Sequence, residues 1–244
     1  MKPFMCRVGS KRDIADKIIK LFPDHITYIE PFIGGGAIFW KKAPSPIEII
    51  NDLDSDLVDT YKIIKKTKME KENFPSDLNT LPKIKKWFDK PIENEADFLT
   101  YQIIRYCNSF GSKGTTKSSG IHRPYNPYGK TKNINAYRER LKNVKILNQS
   151  YEKVIKKYDS EDTFIYLDPP YMDSKQLYKH GAFDFEKLAL ILSKIKGKFL
   201  MSINDDPYIR KVFNNFYRKK IFVKTRGNKG IGLKDRHELL IFNY

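Results

Sequence analysis

The segment TFIYLDPPYMD, residues 163–173, constrains the fold of this chain more than any other. Residues 163–167 are β-branched or aromatic with one leucine, which is the composition of a short buried strand. Asp168 follows directly, and Pro169 and Pro170 have no backbone N–H, so the strand must end there. Ligands of open α/β sheets bind beyond the carboxyl ends of the strands. The segment therefore predicts either a ligand site or a plain proline turn with a capping Asp168.

Extended and helical patterns alternate through residues 1–66 and predict the start of a doubly wound α/β sheet. A helix is expected from Ser10 and Asp13 toward Pro23. The stretch HITYIEPF then predicts a strand, IGGGAIFW a glycine turn that opens a short helix, and IEII a second strand. Apolar residues at helical spacing in residues 57–64 predict the next helix.

Residues 67–143 interrupt this alternation with two helical patterns and a glycine-rich loop, which predicts an inserted, mostly helical domain. Strand patterns resume in VKILNQ, FIYL, GKFLMSIND and RHELLIFNY, with a helix pattern near residues 185–195. We therefore predict a core domain made of residues 1–66 and 144–244, with residues 67–143 inserted between its two parts.

The glycine turn has the form expected at a ligand site. Gly34, Gly35 and Gly36 follow a predicted strand, where the absence of side chains lets a ligand approach the backbone. No GK[ST] follows and the spacing departs from G-x-G-x-x-G, so neither a P-loop nor a dinucleotide site is expected. A cofactor with an adenosine but no phosphates suits this turn. Asp52, at the end of the second strand, either accepts both ribose hydroxyls or caps the helix that begins near Ser55.

The composition narrows the class of protein. The 244 residues carry 46 basic and 29 acidic side chains, a net charge of +17 that favours a polyanionic partner or an anionic membrane surface. A low-GC genome, whose codons favour lysine, also produces such an excess of basic residues. No apolar run is long enough to cross a bilayer, and the amino-terminal residues lack the apolar region of a signal peptide. Cys6 and Cys107 form no CxxC pair and the histidines have no metal-ligand spacing, so we expect an intracellular protein without a metal site.

Basic residues are concentrated where acidic ones are missing. Residues 98–138, which we call the basic segment, contain no Asp or Glu. The middle of the segment mixes glycine, hydroxyl residues, tyrosine and cations, which suits phosphate contacts and base stacking better than a core. The alternative is a flexible basic loop without a ligand. The residues that we assign to nucleic-acid contacts are Lys113, Lys117, Arg123, Tyr125, Lys130 and Lys132.

Five motifs, in their order along the chain, resemble those of the Dam-type DNA adenine-N6 methyltransferases. They are EPFIGGGAIFW, INDLDSDLVDTY, IYLDPPY, LMSIND and HELLIFNY, and together they extend over nearly the whole chain. The resemblance implies an α/β fold with a Rossmann-like doubly wound methyltransferase sheet and a DNA-recognition insertion at 67–143. It also implies S-adenosylmethionine as cofactor and double-stranded DNA as substrate.

The resemblance assigns roles to single residues as well. The catalytic tetrapeptide falls on Asp168, Pro169, Pro170 and Tyr171. The cofactor-binding positions are Arg7, Lys11, Phe32, Gly34, Gly36, Asp52 and Asp168. Arg7 stands where the family commonly has an aromatic residue, and the loop after Asn108 departs from the family's R-Y-N-x-x-G-x-F-N pattern.

The residues at the end of the predicted strand suit this chemistry. The N6 amine of adenine is a poor nucleophile because its lone pair is conjugated with the ring. Two acceptors aimed at its hydrogens, the Asp168 carboxylate and the Pro169 carbonyl, favour a more tetrahedral nitrogen whose lone pair points at the methyl group. Tyr171 is placed to stack on the base once the base has left the duplex.

We therefore predict a site-specific DNA adenine-N6 methyltransferase that acts on a flipped-out adenine in duplex DNA. The alternatives are RNA adenine-N6 or DNA cytosine-N4 methylation, and a non-catalytic nucleic-acid-binding protein on the same scaffold. We expect no metal, no membrane partner, and a monomer or weak dimer. The expected location is intracellular, in the cytoplasm or nucleoid or inside the host cell of a virus, with a cognate restriction endonuclease as an optional partner.

Overall fold

The computed structural model describes residues 1–7, 9–109, 112, 114–171, 183–223 and 236–244. The chain divides into two compact units. The first unit consists of Met1–Lys11, Gly34–Lys41 and Asp54–Asn148, and the second consists of Arg12–Ile33, Lys42–Leu53 and Gln149–Tyr244. The predicted insertion at 67–143 lies within the first unit, and its boundaries as a DNA-recognition domain stay a prediction.

The second unit is built around a mixed β-sheet. Its strands are β1 (Thr27–Glu30), β2 (Ile47–Asn51), β4 (Thr163–Leu167), β5 (Lys198–Asn204), β6 (Tyr217–Val223) and β7 (Arg236–Phe242). They lie in the order β2-β1-β4-β5-β7-β6. Strand β1 is parallel to β2 and β4, and β4 is parallel to β5, whereas β7 is antiparallel to β5 and β6. From β1 the chain adds β2 on one side of the sheet, and it later adds β4 and β5 on the other side. This reversal of strand order between β1 and β4 confirms the predicted Rossmann-like doubly wound α/β fold.

Apolar residues account for the central position of β4. All five of its residues are buried, as expected for a parallel strand covered on both faces. The helices described in this unit are α1 (Ala15–Ile19), α7 (Tyr151–Tyr158), α8 (Phe185–Leu192) and α9 (Pro207–Val212). Helix α8 begins where the Asp184 side chain accepts a hydrogen bond from the Lys187 backbone N–H at 2.8 Å.

The first unit is mostly helical. Its elements are α2 (Ser55–Lys66), α3 (Leu81–Phe88), α4 (Glu95–Cys107), α5 (Tyr128–Thr131), α6 (Ile134–Leu141), a short strand β3 (Lys145–Leu147), and 3₁₀ helices at Lys71–Asn73 and Ser118–Gly120. Helices α3 and α4 pack around an apolar cluster that contains Ile84, Phe88, Ile104 and Ile121. None of the helices in the described ranges of either unit has the length and apolar content needed to cross a bilayer.

The structure corrects two local predictions and shows one strand that was not predicted. Helix α1 begins at Ala15 after a turn at 12–14, so the start predicted at Ser10 and Asp13 is wrong. No helix follows the glycine turn, because the chain forms successive turns there and two of its glycines adopt positive φ angles that a right-handed helix excludes. Strand β6 was not predicted, because its first four residues, YRKK, are exposed and mostly cationic.

Candidate active site

Polar side chains cluster where the parallel strands of the second unit end. The register places Asn204 of β5 opposite Glu238 of β7, and Asp168 directly follows β4. Side chains alternate between the two faces along each strand, and paired residues of neighbouring strands share a face. The register from β1 through β4 and β5 to β7 therefore places Glu30 on the same face as Asn204 and Glu238. Tyr171 lies three residues beyond Asp168. We call Glu30, Asp168, Tyr171, Asn204 and Glu238 the carboxyl edge.

The predicted catalytic tetrapeptide lies at this edge. Asp168 is partly exposed, Pro169 is buried, and Pro170 and Tyr171 are partly buried. The Tyr171 hydroxyl donates a hydrogen bond of 2.5 Å to Oε1 of Glu238. Burial and the negative charges of Asp168 and Glu238 hold the pKa of Tyr171 well above its usual value, so its hydroxyl stays protonated. The tetrapeptide therefore presents one acid, rigid carbonyls and an anchored ring.

Glu30 is a second acid of the edge, and it is 2% exposed. Its Oε2 accepts a hydrogen bond of 2.6 Å from the Tyr28 hydroxyl. Burial raises the pKa of Glu30 to about 8, and the nearby charge of Asp168 adds to the rise. Glu30 is therefore mostly neutral at neutral pH, which lets Asp168 carry a charge beside it at lower electrostatic cost.

Asn51 fixes the backbone around the predicted ribose-binding acid. Its Nδ2 donates to the carbonyls of Pro31 and Gln149, both at 2.9 Å. Its Oδ1 accepts from the Gln149 backbone N–H, also at 2.9 Å. Asp52 follows Asn51, and helix α2 is capped by Asp54 instead of Asp52. The helix-cap alternative for Asp52 is therefore wrong, whereas its ribose-binding role stays a prediction.

Phe32 lies in an aromatic cluster of the second unit. Its ring centroid is 5.3 Å from that of Tyr151 and 5.5 Å from that of Phe183. The rings of Tyr151 and Phe183 are themselves 5.5 Å apart. Such a cluster offers flat apolar surface of the kind on which a nucleobase stacks.

The glycine turn belongs to the first unit and requires its glycines. Gly34 and Gly36 have φ angles of +47° and +68°, a region that residues with side chains rarely adopt. A Cβ at Gly36 would lie 3.0 Å from both the Trp40 ring and the Tyr61 hydroxyl. The same hydroxyl donates to the Gly34 carbonyl at 2.9 Å. At Gly34 an added Cβ would meet no atom of the described residues beyond its chain neighbours within 4 Å, so that side of the residue is not sterically blocked by them.

The amino-terminal residues of the first unit are held by internal contacts. Nη1 of Arg7 lies 2.8 Å from Oδ2 of Asp54, and its guanidinium lies 4.7 Å from the ring centroid of Tyr106. Burial opposes ionisation of Asp54, but the bond to Arg7 outweighs it and keeps the pKa of this carboxyl below its usual value. Lys11 is buried, and its Nζ donates to the Gly9 carbonyl at 3.1 Å. Both residues therefore have structural partners beside their predicted cofactor role.

The predicted DNA-contact residues differ in their surroundings. Lys117 and Lys132 are exposed, whereas Lys130 is partly buried and its Nζ donates to the Pro3 carbonyl. Nη2 of Arg123 donates to the Ser109 carbonyl at 2.9 Å. The carbonyls of Arg123 and Tyr125 both accept from Nδ2 of Asn108, at 2.7 and 2.9 Å. Lys113 lies outside the described residues.

A pocket lined by polar side chains and glycines lies within the basic segment. It has a volume of about 370 Å³. Arg105 and Lys117 provide positive charge at its walls, and the remaining lining residues are Gly114, Thr115, Thr116, Ser119 and Gly120. Arg105 is also bound to Asp56, with Nη1 2.7 Å from Oδ2, while its buried Nε has no hydrogen-bond partner. Cations and hydroxyls of this kind are suited to bind an anion.

Several residues of the carboxyl edge were not singled out from the sequence. Glu30, Asn204 and Glu238 each stand at the end of an apolar run, in TYIE, LMSIN and HELLIF. A charged or amide residue at the boundary of a strand predicted to be buried is the pattern that would have indicated them. Among the residues that the structure describes, no group of three or more His, Cys, Asp or Glu could hold a metal ion.

Comparisons with known proteins agree on one family. The model of the D12 class N6 adenine-specific DNA methyltransferase family matches residues 8–226. The type II methyltransferase M.MjaIII of Methanocaldococcus jannaschii is 30% identical, over 100% of this chain and 99% of the relative. The type II methyltransferase M1.LlaDCHI of Lactococcus lactis subsp. cremoris is 27% identical, over 100% and 96%. The DNA adenine methylase of Escherichia coli is 24% identical, over 70% of this chain and 65% of the relative.

The fold and these matches define a methyltransferase with a Rossmann-like sheet. The chain belongs to the D12 class N6 adenine-specific DNA methyltransferase family and is an adenine-specific DNA methyltransferase. The predicted resemblance to Dam-type enzymes and the predicted enzyme class are both confirmed.

Proposed function

We propose that this enzyme transfers the methyl group of S-adenosylmethionine to N6 of an adenine flipped out of duplex DNA, within a specific target sequence. The observation that carries the proposal is the position of Asp168, Pro169, Pro170 and Tyr171 beyond the carboxyl end of a fully buried central strand. Ligands of doubly wound sheets bind at such positions. The buried Glu238, which accepts a hydrogen bond from Tyr171, helps to hold the tetrapeptide in place.

The Asp168 carboxylate and the Pro169 carbonyl accept the two N6 hydrogens of the target base. These contacts favour a tetrahedral nitrogen and direct its lone pair out of the ring plane. They hold the amine in the orientation needed for in-line attack, which removes part of the entropic barrier. The extra proton of the methylated nitrogen leaves after the transfer, and the Asp168 carboxylate is the nearest proposed acceptor.

Tyr171 stacks on the face of the flipped base. Base stacking on an aromatic side chain contributes ~1 to 3 kcal/mol per base, which compensates part of the lost stacking in the duplex. Because the Tyr171 hydroxyl stays protonated, it does not serve as a base in the reaction. Pro170, between the acceptor carbonyl and the ring, restricts the backbone that joins them.

The residues assigned to the cofactor fit an adenosine derivative that carries no phosphates. In the second unit, Asp52 would bind the ribose hydroxyls and the cluster around Phe32 would pack on the adenine. In the first unit, Gly34 would present its backbone and Gly36 would allow the turn to pack on Trp40 and Tyr61, while Arg7 and Lys11 would stabilise the amino-terminal motif. When bound, S-adenosylmethionine supplies an electrophilic methyl group on a sulfonium.

The basic segment supplies the DNA contacts. Lys117 and Lys132 are assigned to phosphates because they are exposed, and the pocket beside Arg105 offers a second place for a phosphate. Arg123 precedes PYNPYG, where two prolines stiffen the chain, and we assign it to a guanine edge. Lys113, Tyr125 and Lys130 remain further proposed contacts. We also propose an intracellular location, a monomer or weak dimer, and a cognate restriction endonuclease as the partner that gives methylation its protective role.

The test is incubation of the full chain with labelled S-adenosylmethionine and DNA, RNA or neither, followed by analysis of the nucleosides. We expect the label in N6-methyldeoxyadenosine, and only when duplex DNA is present. Label in the ribonucleoside or in N4-methylcytosine would assign a different substrate. Absence of transfer to any nucleic acid, with cofactor binding intact, would contradict the proposed function.

A further inference from the structure

Glu238 is a buried acid directly before the apolar part of β7. It is 8% exposed, while Leu239, Leu240 and Ile241, which follow it in β7, are fully buried. A carboxylate in such a position lowers stability unless it is hydrogen-bonded. Its Oε1 accepts the 2.5 Å hydrogen bond from the Tyr171 hydroxyl. The buried acid is thus matched to a residue of the catalytic tetrapeptide, 67 positions away in the sequence.

The two partners differ in how their backbones are held. Strand β7 lies between β5 and β6 and pairs with both, so the backbone of Glu238 is fixed on two sides. Tyr171 lies outside any helix or strand, four residues beyond the end of β4. The orientation of its ring therefore depends more on side-chain contacts than on a backbone ladder. The hydrogen bond holds the hydroxyl, the atom farthest from the backbone, so it limits swinging of the whole side chain about the Cα–Cβ bond.

We infer that Glu238 is a positioning residue that fixes the direction of the Tyr171 side chain and thereby the place and orientation of the flipped adenine. This inference rests on the proposed function, because it takes Tyr171 as the stacking surface. The base lies between two fixed references: the ring, held from β7, and the acceptors of Asp168 and Pro169, held from β4. A displaced ring would shift the amine away from both acceptors and slow transfer without preventing DNA binding.

The charges at the site favour positioning over proton transfer. The pKa of Tyr171 is raised by burial first and then by the negative charges of Asp168 and Glu238. The hydroxyl is therefore a lasting donor, and one oxygen of Glu238 is committed to it. Burial raises the pKa of Tyr166, and the negative charges of Asp168, Glu30 and Glu238 add to the rise. A further charged base is not needed where Asp168 already stands at the amine.

The test compares Glu238→Leu, Glu238→Gln, Tyr171→Phe and the double variant Glu238→Leu/Tyr171→Phe, with the exposed Glu161→Gln as a charge control. The target motif is first found by sequencing DNA methylated by the wild type. Single-turnover transfer is then measured on a duplex with that motif, and fluorescence is measured on the same duplex with 2-aminopurine at the target adenine. Thermal melting of each variant verifies folding.

We expect Glu238→Leu to slow single-turnover transfer about tenfold and to raise the 2-aminopurine fluorescence in the complex, because the base stacks less well. Tyr171→Phe should act similarly, and the double variant should be no slower than the more affected single variant, as for two residues that act through one contact. Glu238→Gln keeps an acceptor and should recover most of the rate. DNA affinity should stay unchanged in all of them.

Additive losses in the double variant, or unchanged fluorescence with a slower rate, would overturn the inference, because Glu238 would then act other than through Tyr171. A wild-type rate in Glu238→Leu would overturn it too. If a folded Glu238→Leu variant fails to bind DNA, the residue has a structural role and the inference also fails. A wild type that methylates no adenine contradicts the proposed function instead, and this separates the two failures.

Discussion

The carboxyl edge and the basic segment are built in opposite ways. At the carboxyl edge, acids are buried on paired strands, and Glu30 and Glu238 each accept a hydrogen bond from a tyrosine. In the basic segment, the backbone is held by Asn108, while Lys117 and Lys132 extend into solvent. The edge has its geometry before any ligand arrives, whereas the exposed cations retain their rotamer freedom until they meet one.

This difference matches two kinds of task. Rate acceleration needs groups held in place in advance, because a small displacement of an acceptor weakens its effect on the transition state. Phosphate binding needs charge more than exact geometry, since most of its free energy comes from release of counterions. We therefore expect substitutions at the carboxyl edge to change rates and stability, and substitutions in the basic segment to change affinity and its salt dependence.

The largest expected effect is that of Asp168→Ala. It removes one of the two proposed acceptors of the N6 amine and should lower single-turnover methyl transfer by at least about 10²- to 10³-fold. DNA affinity should change by no more than about twofold, because the proposed phosphate contacts are untouched. Rapid quench with labelled cofactor and a filter-binding titration measure the two quantities.

The exposed Asp162→Ala is the matched control for Asp168→Ala, because it also removes one carboxylate but lies before β4 instead of after it. It should transfer methyl groups at the wild-type rate. Near-normal transfer by Asp168→Ala would contradict the proposed difference between the carboxyl edge and the basic segment, since the carboxyl edge would then not control the rate.

The sequence was sufficient to predict the strands whose residues are apolar and buried. FIYL and LMSI were predicted as strands because the runs are short and apolar, and FIYL is also followed by prolines, which in turn located Asp168. Strand β6 could not be recognised in the same way, because exposed cationic residues on an edge strand leave no apolar alternation. The difference lies in burial, which is the property that a hydrophobic pattern reports.

The partners within the site could not be predicted. The bond between Tyr171 and Glu238 joins residues 67 positions apart, and it depends on β7 lying antiparallel beside β5. No local pattern in HELLIFNY contains that information. The bond between Arg7 and Asp54 is similar, since it joins residues 47 positions apart, and Arg7 stands where the family commonly has an aromatic residue. Local sequence thus located the acid of the predicted catalytic tetrapeptide, whereas the contacts that orient its neighbours depend on the tertiary fold.

The second largest expected effect is a loss of stability with rising pH, caused by Glu30. The folded-state pKa of Glu30 is raised from 4.5 to about 8, so the stability contributed by its neutral form is complete below pH 4.5 and is lost as pH rises toward 8. From pH 5 to pH 8 the wild type should lose roughly 2 to 4 kcal/mol of unfolding free energy relative to Glu30→Gln. Urea unfolding of both proteins at several pH values measures this difference, with Glu161→Gln as the exposed control. Parallel pH curves for wild type and Glu30→Gln would contradict the prediction.

The third effect concerns the cofactor. Asp52→Ala should weaken binding of S-adenosylmethionine about 10-fold or more, because hydrogen bonds to a charged group contribute ~1.5 to 3 kcal/mol. DNA binding should not change. Asp59→Ala, an exposed carboxylate in α2, is the control. Calorimetric titration of each variant with the cofactor and with DNA separately distinguishes the roles, and a larger loss for DNA would remove Asp52 from the cofactor site.

The smallest effect for each residue is expected in the basic segment. Lys117→Ala and Lys132→Ala should each weaken DNA binding on every sequence tested and lower the slope of log K against log salt by about 0.9, the loss of one phosphate contact. Lys130→Ala should lower the slope less, because its Nζ already donates to the Pro3 carbonyl. The exposed Lys153→Ala, outside the basic segment, controls for charge alone. Fluorescence anisotropy at several salt concentrations measures the slopes. A slope that falls equally in all four variants would mean that net charge, and not the basic segment, determines DNA affinity.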